Sequence, residues 1–151
     1  MRVVLQTVNK ASVEIENTIV GKINAGYLLL VGFTQGDNQE IVNRMADKIL
    51  KLRVFPDQNG QTNLSLYDVV GDILSVSQFT LYADTSGGRR PSFVNALNPK
   101  EATILYDYFN AKLEELYNRK IEKGIFGADM IVKGDNNGPF TLILDSKELF
   151  K

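Results

Sequence analysis

The residues best placed for chemistry form one short string, Ser77-Gln78-Phe79-Thr80-Leu81, at the end of an apolar stretch. Hydroxyl groups in such a position most often bond the neighbouring backbone, and a serine nucleophile needs a base such as histidine. The chain contains no His and no Cys, so we do not expect covalent catalysis by Ser77, and nothing nearby in the sequence would activate Thr80. The string instead predicts backbone N–H groups that stabilise an oxyanion where a strand stops, with Phe79 as a pocket wall.

A second string, Asn136-Asn137-Gly138-Pro139-Phe140-Thr141, separates two apolar stretches. A Gly-Pro pair between strands is ordinarily a hairpin turn, because glycine permits unusual dihedral angles and proline fixes φ. The alternative is a cis Gly138–Pro139 bond. Such a bond would align two carbonyl oxygens as acceptors for a substrate ammonium and leave no room for a side chain on one side of its Cα. The sequence leaves both interpretations open.

Two adjacent arginines, Arg89 and Arg90, follow a pair of glycines. Their simplest interpretation is a flexible, solvated loop, and the functional alternative is a pair of guanidinium groups that contact phosphates near a pocket. The net charge of the chain is −1, which does not indicate a general nucleic-acid binder. We therefore expect any phosphate contact to be local.

Length and composition indicate one soluble globular domain, 1–151, because the chain is 44% hydrophobic and 23% charged. Without Cys or His the chain offers neither a disulfide framework nor a Cys/His metal site, so we expect no metal and no cofactor. The first residues show no signal-peptide pattern, and the longest apolar run, 27–31, is too short for a bilayer. We expect a cytoplasmic protein with no membrane partner.

Short apolar or alternating stretches predict about eight strands, several of them bounded by turn residues. The run 27–31 is apolar throughout and is expected to be buried on both faces. The main predicted strands are 3–8, 13–16, 19–23, 27–33, 53–55, 72–78, 130–132 and 140–144.

Two helices are predicted from their first residues and their apolar spacing. The first opens with an Asp-x-x-Glu capping box at Asp37, and the second with Asn98 as its cap and Pro99 in its first turn. Their expected core faces are Ile41, Met45, Ile49 and Leu52, and Leu105, Phe109, Leu113 and Leu116. The predicted fold class is α/β (α+β type), with a mostly antiparallel curved sheet or barrel and two main helices packed on it.

Taken in order, these strings resemble the D-aminoacyl-tRNA deacylases, also called D-tyrosyl-tRNA deacylases. The resemblance covers the whole chain. It is carried by Met1 to Val8 with Gln6, Gly21-Lys22-Ile23, Gly26-Tyr27-Leu28-Leu29, Ser77 to Leu81, Arg90-Pro91-Ser92-Phe93, Tyr106-Asp107-Tyr108-Phe109, Gly127-Ala128-Asp129-Met130 and Asn137 to Thr141.

The resemblance implies a metal-free homodimer that hydrolyses the ester between a D-amino acid, or mischarged glycine, and the 3′ end of tRNA. In that family the Gly-cis-Pro loop of one subunit enters the pocket of the other, and the 2′-OH of the terminal ribose is thought to assist. The implied substrate-binding residues are Gln6, Phe126, Met130, Asn137, Gly138 and Pro139; the implied catalytic residues are Ser77, Gln78, Phe79 and Thr80; and Arg89 and Arg90 are the candidates for tRNA binding.

One position departs from the family pattern, since Thr7 stands where the family usually has an arginine that braces the Gly-Pro loop. We expect the shorter, uncharged side chain to anchor that loop less firmly. Two other functions stay open. One is a nucleic-acid-binding module that keeps the fold without the activity, and the other is an esterase for small acyl esters, which would not require tRNA.

Overall fold

The computed structural model describes residues 1–151, which form one main sheet, a separate two-stranded sheet and four helices. A short 3-10 turn, Phe79–Tyr82, follows the sixth strand. In chain order the elements are β1 (Arg2–Ile15), β2 (Thr18–Ile23), β3 (Gly26–Gly32), α1 (Gln39–Lys51), β4 (Arg53–Pro56), β5 (Thr62–Ser65), α2 (Leu66–Val69), β6 (Asp72–Ser77), α3 (Pro99–Tyr117), β7 (Glu122–Lys123), β8 (Ile131–Asp145) and α4 (Ser146–Leu149).

The long strand β1 organises the main sheet. It pairs antiparallel with β3 and then β2 along one edge and with β8 along the other. β6 and β7 extend the sheet beyond β3 in parallel, while β4 and β5 form the separate antiparallel pair. Because a parallel connection needs a crossover, the chain between β3 and β6 leaves the sheet and forms α1 on the way.

The sheet is buried on both faces at its centre. One face packs against α1 and α3 through a large apolar cluster that includes Tyr27, Leu29, Met45 and Phe109. A smaller cluster on the opposite face is formed by side chains of the sheet's own strands, with Leu28 among its members. The prediction that 27–31 is buried on both faces is therefore confirmed, as is the predicted fold class of a mostly antiparallel curved sheet carrying two main helices. None of the helices has both the length and the apolar character needed to cross a bilayer.

The strand predictions are wrong in two places where the structure has one continuous strand. The stretches 3–8 and 13–16 are parts of β1, and 130–132 and 140–144 are parts of β8. Both strands continue because shifts of register absorb the irregular residues between the regular stretches. The Gly-Pro string is consequently an interruption inside a paired strand and not a hairpin turn.

The helix predictions need smaller corrections. Asn38, not Asp37, caps α1, because its side chain accepts a hydrogen bond from the N–H of Ile41. In α3 the cap Asn98 is confirmed, but Leu116 is 39% exposed. Tyr106 and Tyr117 lie on the buried face of that helix instead, since Leu116 lies at the edge of the core stripe and not at its centre.

The start of β1 and the end of β8 are joined at the carboxylate of Asp145. The Nε and Nη2 atoms of Arg2 donate to its Oδ2 at 2.9 and 2.8 Å, and the N–H of Lys147 donates to its Oδ1 at 2.9 Å. Burial acts to raise the pKa of Asp145, but these hydrogen bonds and the guanidinium charge outweigh it and hold that pKa below its usual value.

This environment predicts a stability that falls in acid. The unfolded chain binds a proton at Asp145 before the folded chain does, so the stabilisation is present above about pH 4 and is lost as the pH falls through the lower folded pKa. We expect Asp145→Asn to lower the free energy of unfolding in urea at pH 7 and to change it much less at pH 3. An equal difference at both pH values would contradict this account.

Candidate functional site

A cleft of about 260 Å³ lies where β6 ends. Its walls come from the end of β6, the start of the 3-10 turn, the segment between β7 and β8, and the first part of β8. Five of the residues chosen from the sequence line it: Ser77, Gln78, Phe79, Phe126 and Met130. The structure therefore brings together two strings that lie about fifty residues apart in the chain.

The backbone at the mouth of this cleft is held in a defined geometry. The N–H of Gln78 donates to the carbonyl of Val31 on β3 at 2.7 Å, and the N–H of Leu81 and Ala83 donate to the carbonyls of Gln78 and Thr80 at 3.2 and 3.0 Å. Gln78 is thus not a free donor, so its N–H is not one of the groups that could stabilise the predicted oxyanion. The N–H groups of Phe79 and Thr80 open the turn and have no carbonyl partner within it.

Two side chains of the string contact other groups at the cleft. The amide Nε2 of Gln78 donates to the hydroxyl oxygen of Thr80, and the ring of Phe79 is half-exposed against the ring of Phe93, with centroids 5.0 Å apart. No imidazole or thiol exists anywhere in the chain to activate Thr80. The chemistry this arrangement offers is hydrogen bonding from amide and backbone groups and contact with a flat apolar group.

Tyr106 on α3 supports the wall of the cleft and was not selected from the sequence. Its hydroxyl donates to the carbonyl of Ser75 at 2.8 Å, two residues before Ser77, and its ring centroid lies 6.0 Å from that of Phe126. Burial raises the pKa of Tyr106, so the hydroxyl remains a neutral donor. Tyr106 belongs to the string 106–109 that carries the resemblance, but that string assigned it no role in the site, and helical spacing places it only on the core face of α3.

The Gly-Pro string forms a wide bulge on β8. Between the pairs Gln6–Thr141 and Val8–Asn136, β1 has only Thr7, whereas β8 has residues 137–140. The additional residues cannot lie in the ladder and are pushed out of it. The Gly138–Pro139 peptide bond is cis, and both residues are exposed.

Five side chains tie the base of this bulge to the sheet. Three hydrogen bonds hold the strand itself: Asn136 Oδ1 accepts from the N–H of Phe140 at 3.1 Å, Asn136 Nδ2 donates to Thr141 Oγ1 at 3.0 Å, and Gln6 Nε2 donates to the same oxygen at 3.2 Å. Asn137 Nδ2 donates to Asn9 Oδ1 at 3.1 Å. Gln6, Asn137, Gly138 and Pro139 do not line the cleft of their own chain.

Thr7 anchors the bulge in a way that the family pattern did not suggest. It is buried, and its hydroxyl donates to the carbonyl of Asn137 at 3.0 Å. Thr7 is therefore a direct anchor of the bulge, and weaker anchoring than by an arginine stays a prediction.

We expect Thr7→Val, which keeps the shape and removes the donor, to lower the free energy of unfolding by about 1 kcal/mol, as typical for one lost hydrogen bond. Urea denaturation measures the loss, and Thr18→Val, at an exposed position of β2, is the matched control. Equal stability of the Thr7 and Thr18 variants would show that the contact with Asn137 contributes nothing.

Arg89 and Arg90 lie on an exposed loop and do not line the cleft. Reciprocal backbone hydrogen bonds of 2.8 Å between Asp84 and Ser92 close this loop. Phe93, the next residue, contacts Phe79 at the cleft. The loop that carries the two arginines is therefore joined to the cleft through Phe93, but the arginine side chains do not line the cleft.

The fold and the cleft define a small α/β protein whose site offers backbone N–H groups, amides and apolar walls. The family described as "D-Tyr-tRNA(Tyr) deacylase" matches residues 4–145, and the chain belongs to that family. A D-aminoacyl-tRNA deacylase of Lactobacillus gasseri is 56% identical over 96% of this chain and 99% of its own. A relative with the same name in Thermosipho melanesiensis is 49% identical over 99% of this chain and all of its own. The prediction of an ester hydrolase of this family is confirmed.

Two solved structures share the fold. One, named "c-Myc DNA Unwinding Element Binding Protein", has a TM-score of 0.91 and 37% identity, and covers 96% of this chain and 98% of its own. The other, described as "Structural Analysis of a probable eukaryotic D-amino acid tRNA deacylase", has a TM-score of 0.84 over 95% of this chain and 97% of its own. At 18% identity the second supports the fold alone.

Proposed function

We propose that this chain, acting as one domain over residues 1–151, hydrolyses the ester bond between a D-amino acid and the 3′ end of tRNA. Free tRNA and the D-amino acid are the products, and glycine mischarged onto tRNA is removed by the same site. The observation that carries the proposal is the cleft beside the intact Ser77–Leu81 string, in a chain that belongs to the deacylase family over residues 4–145.

The proposed reaction requires little from the side chains of the protein. An aminoacyl ester is already activated, so stabilising the negative charge on its carbonyl oxygen is the main task. We assign that role to the N–H groups of Phe79 and Thr80, which have no partner in their own turn. The 2′-OH of the terminal ribose assists the attacking water, Ser77 and Gln78 line the ester and the terminal adenosine, and Phe126 and Met130 form the apolar wall.

Discrimination between D- and L-substrates is assigned to the bulge of a second subunit. Asn137, Gly138 and Pro139 are exposed and lie outside the cleft of their own chain, so they act in a pocket only if a partner supplies it. The free edge of β8 supports a homodimer, because this long edge strand pairs only with β1 and presents Ile131 and Ile143 at 57% and 70% exposure. Long apolar edges of this kind are ordinarily covered by a partner.

The arginine loop is assigned to the tRNA itself. Arg89 and Arg90 are exposed and held near the cleft by the contact between Phe93 and Phe79. Guanidinium groups bind phosphate oxygens well, and such contacts weaken as the salt concentration rises. We place the reaction in the cytoplasm, where aminoacyl-tRNA is made and used.

A nucleic-acid-binding function without catalysis is the second candidate. It is favoured by the 37% identical solved structure, which is named as a protein that binds a DNA unwinding element. The net charge of −1 argues against non-specific affinity for DNA. An esterase for small acyl esters is the third candidate. It would use the same N–H donors but would not need the ribose hydroxyl.

The three candidate functions predict different substrates and ligands. We expect rapid release of D-tyrosine from D-Tyr-tRNA, slow hydrolysis of the free ethyl ester of D-tyrosine, and weak binding to duplex DNA at physiological salt. Equal turnover of the free ester and the tRNA ester would support the esterase. Tight DNA binding with no release from D-Tyr-tRNA would support the binding module and overturn the proposal.

A further inference from the structure

Arg2 at the start of β1 contacts the 3-10 turn that carries Phe79 and Thr80. Its Nη1 atom donates to the carbonyl of Leu81 at 2.7 Å, and its guanidinium carbon lies 4.7 Å from the ring centroid of Tyr82. Nothing in the family resemblance assigned a role to this side chain. Arg2, which lies on β1, therefore contacts the last two residues of the turn, Leu81 and Tyr82.

The guanidinium group is itself held in place. Its other two bonding nitrogens, Nε and Nη2, donate to Asp145 at 2.9 and 2.8 Å, and the second carboxylate oxygen of Asp145 is occupied by the N–H of Lys147. The planar fork of arginine can make these bonds and the bond to Leu81 at once, whereas the single nitrogen of lysine cannot reproduce the fork. Arg2 thus connects the end of β8 rigidly to the turn.

The turn rests against the strand next to Arg2. Gly32 on β3 is the Cα partner of Arg2, and a Cβ atom at Gly32 would stand 2.8 Å from the carbonyl oxygen of Gln78 and 3.2 Å from the Cβ of Leu81. The turn therefore lies directly on the glycine backbone. Its first end is fixed by the hydrogen bond from Gln78 to Val31, and its last end is fixed by Arg2.

We propose that Arg2 is a positioning residue for the deacylation reaction: it clamps the Phe79–Tyr82 turn so that the N–H groups of Phe79 and Thr80 hold the geometry needed for the oxyanion. The proposal rests on the proposed function of the cleft. It assigns Arg2 no contact with substrate, and it predicts an effect on the rate of the chemical step and not on substrate binding.

The test compares Arg2→Ala and Arg2→Lys with Arg44→Ala. Arg44 is a matched control because its guanidinium also stacks on an aromatic ring, that of Phe150, at 4.4 Å, but it lies on α1 and does not line the cleft. With D-Tyr-tRNA we expect Arg2→Ala to lower kcat about 10- to 100-fold with KM little changed. Arg2→Lys, which keeps a cation beside Asp145, should lie between Arg2→Ala and the wild type, and Arg44→Ala should leave kcat unchanged.

Amide hydrogen exchange supplies a readout that does not depend on activity. The N–H groups of Leu81 and Ala83 are bonded within the turn, and we expect both to exchange at least about tenfold faster in Arg2→Ala than in Arg44→Ala. Unchanged exchange at these amides, or an unchanged kcat in a folded Arg2→Ala protein, would overturn the clamp. If the wild type itself failed to hydrolyse D-Tyr-tRNA, the proposed function would fall, and the exchange rates alone would decide whether Arg2 holds the turn.

Discussion

Gly138→Ala is expected to lower turnover of D-Tyr-tRNA about 100-fold and to reduce the preference for the D-ester over the L-ester. Gly138 has φ of +132°, a conformation that residues with a side chain rarely adopt, and an added Cβ would stand 3.0 Å from the nitrogen of Phe140. The bulge must therefore move, and displacement of a positioning group by about 1 Å costs roughly 100-fold in rate. Initial rates on matched D- and L-Tyr-tRNA measure both effects.

Gly60→Ala is the control for backbone strain alone. Gly60 also has positive φ, +76°, but open space surrounds the position of its absent Cβ, and it lies in the turn between β4 and β5. This variant should lose some stability and keep wild-type kinetics. Comparable loss of activity in both variants would mean that Gly138 has no special place in the site.

Phe79→Pro is expected to lower kcat about 100- to 1,000-fold relative to Phe79→Ala. Both changes remove the ring, but only proline removes the backbone N–H, and loss of one oxyanion donor typically costs that much. Proline is tolerated at the first position of a helical turn. The residue before it, Gln78, already has φ of −145° and ψ of 82°, outside the α region that proline disfavours in its predecessor.

Thr80→Ala completes this set, because it removes the hydroxyl and keeps the N–H. We expect it to retain substantial activity, since the Thr80 hydroxyl accepts a hydrogen bond from Gln78 and has no base beside it. Complete loss of activity in a folded Thr80→Ala protein would restore the hydroxyl as a nucleophile. Equal kcat values for Phe79→Pro and Phe79→Ala would remove that N–H from the mechanism.

Mixing Gly138→Ala subunits with Phe79→Pro subunits tests whether each site is built from two subunits. If the bulge of one subunit works in the cleft of the other, a dimer of one Gly138→Ala and one Phe79→Pro subunit contains one doubly damaged site and one intact site. Random mixing would restore about a quarter of wild-type activity in a symmetric dimer. A mixture no more active than the separate variants would contradict a composite site.

Much of the fold could be predicted from local pattern. The apolar run at 27–31 has no polar face, so it had to be covered on both sides, and both clusters lie there. The alternation of apolar and polar residues indicated most strands, and the cap at Asn98 indicated the start of α3. The grouping of Phe126 and Met130 with Ser77 followed from the family resemblance, since nothing in their spacing indicates it.

The remaining features depend on partners distant in the chain. The Gly-Pro string resembles a hairpin turn locally, but pairing with β1 keeps it within one strand and forces out the residues opposite Thr7. The sequence around Thr7 does not indicate its burial or its bond to Asn137, because the two residues lie far apart in the chain. Arg2 and Tyr106 reach the turn and the cleft wall across the fold, and no local pattern reports such contacts.

The central claim is that this chain removes D-amino acids from tRNA and spares L-amino acids. The most direct measurement is the initial rate of amino-acid release from matched D-Tyr-tRNA and L-Tyr-tRNA by the wild-type protein, with a chelator present. Rapid loss of the D-ester with the L-ester spared is the predicted result. Loss of both esters at similar rates would contradict the chiral role of the bulge, and loss of neither would contradict the proposed reaction.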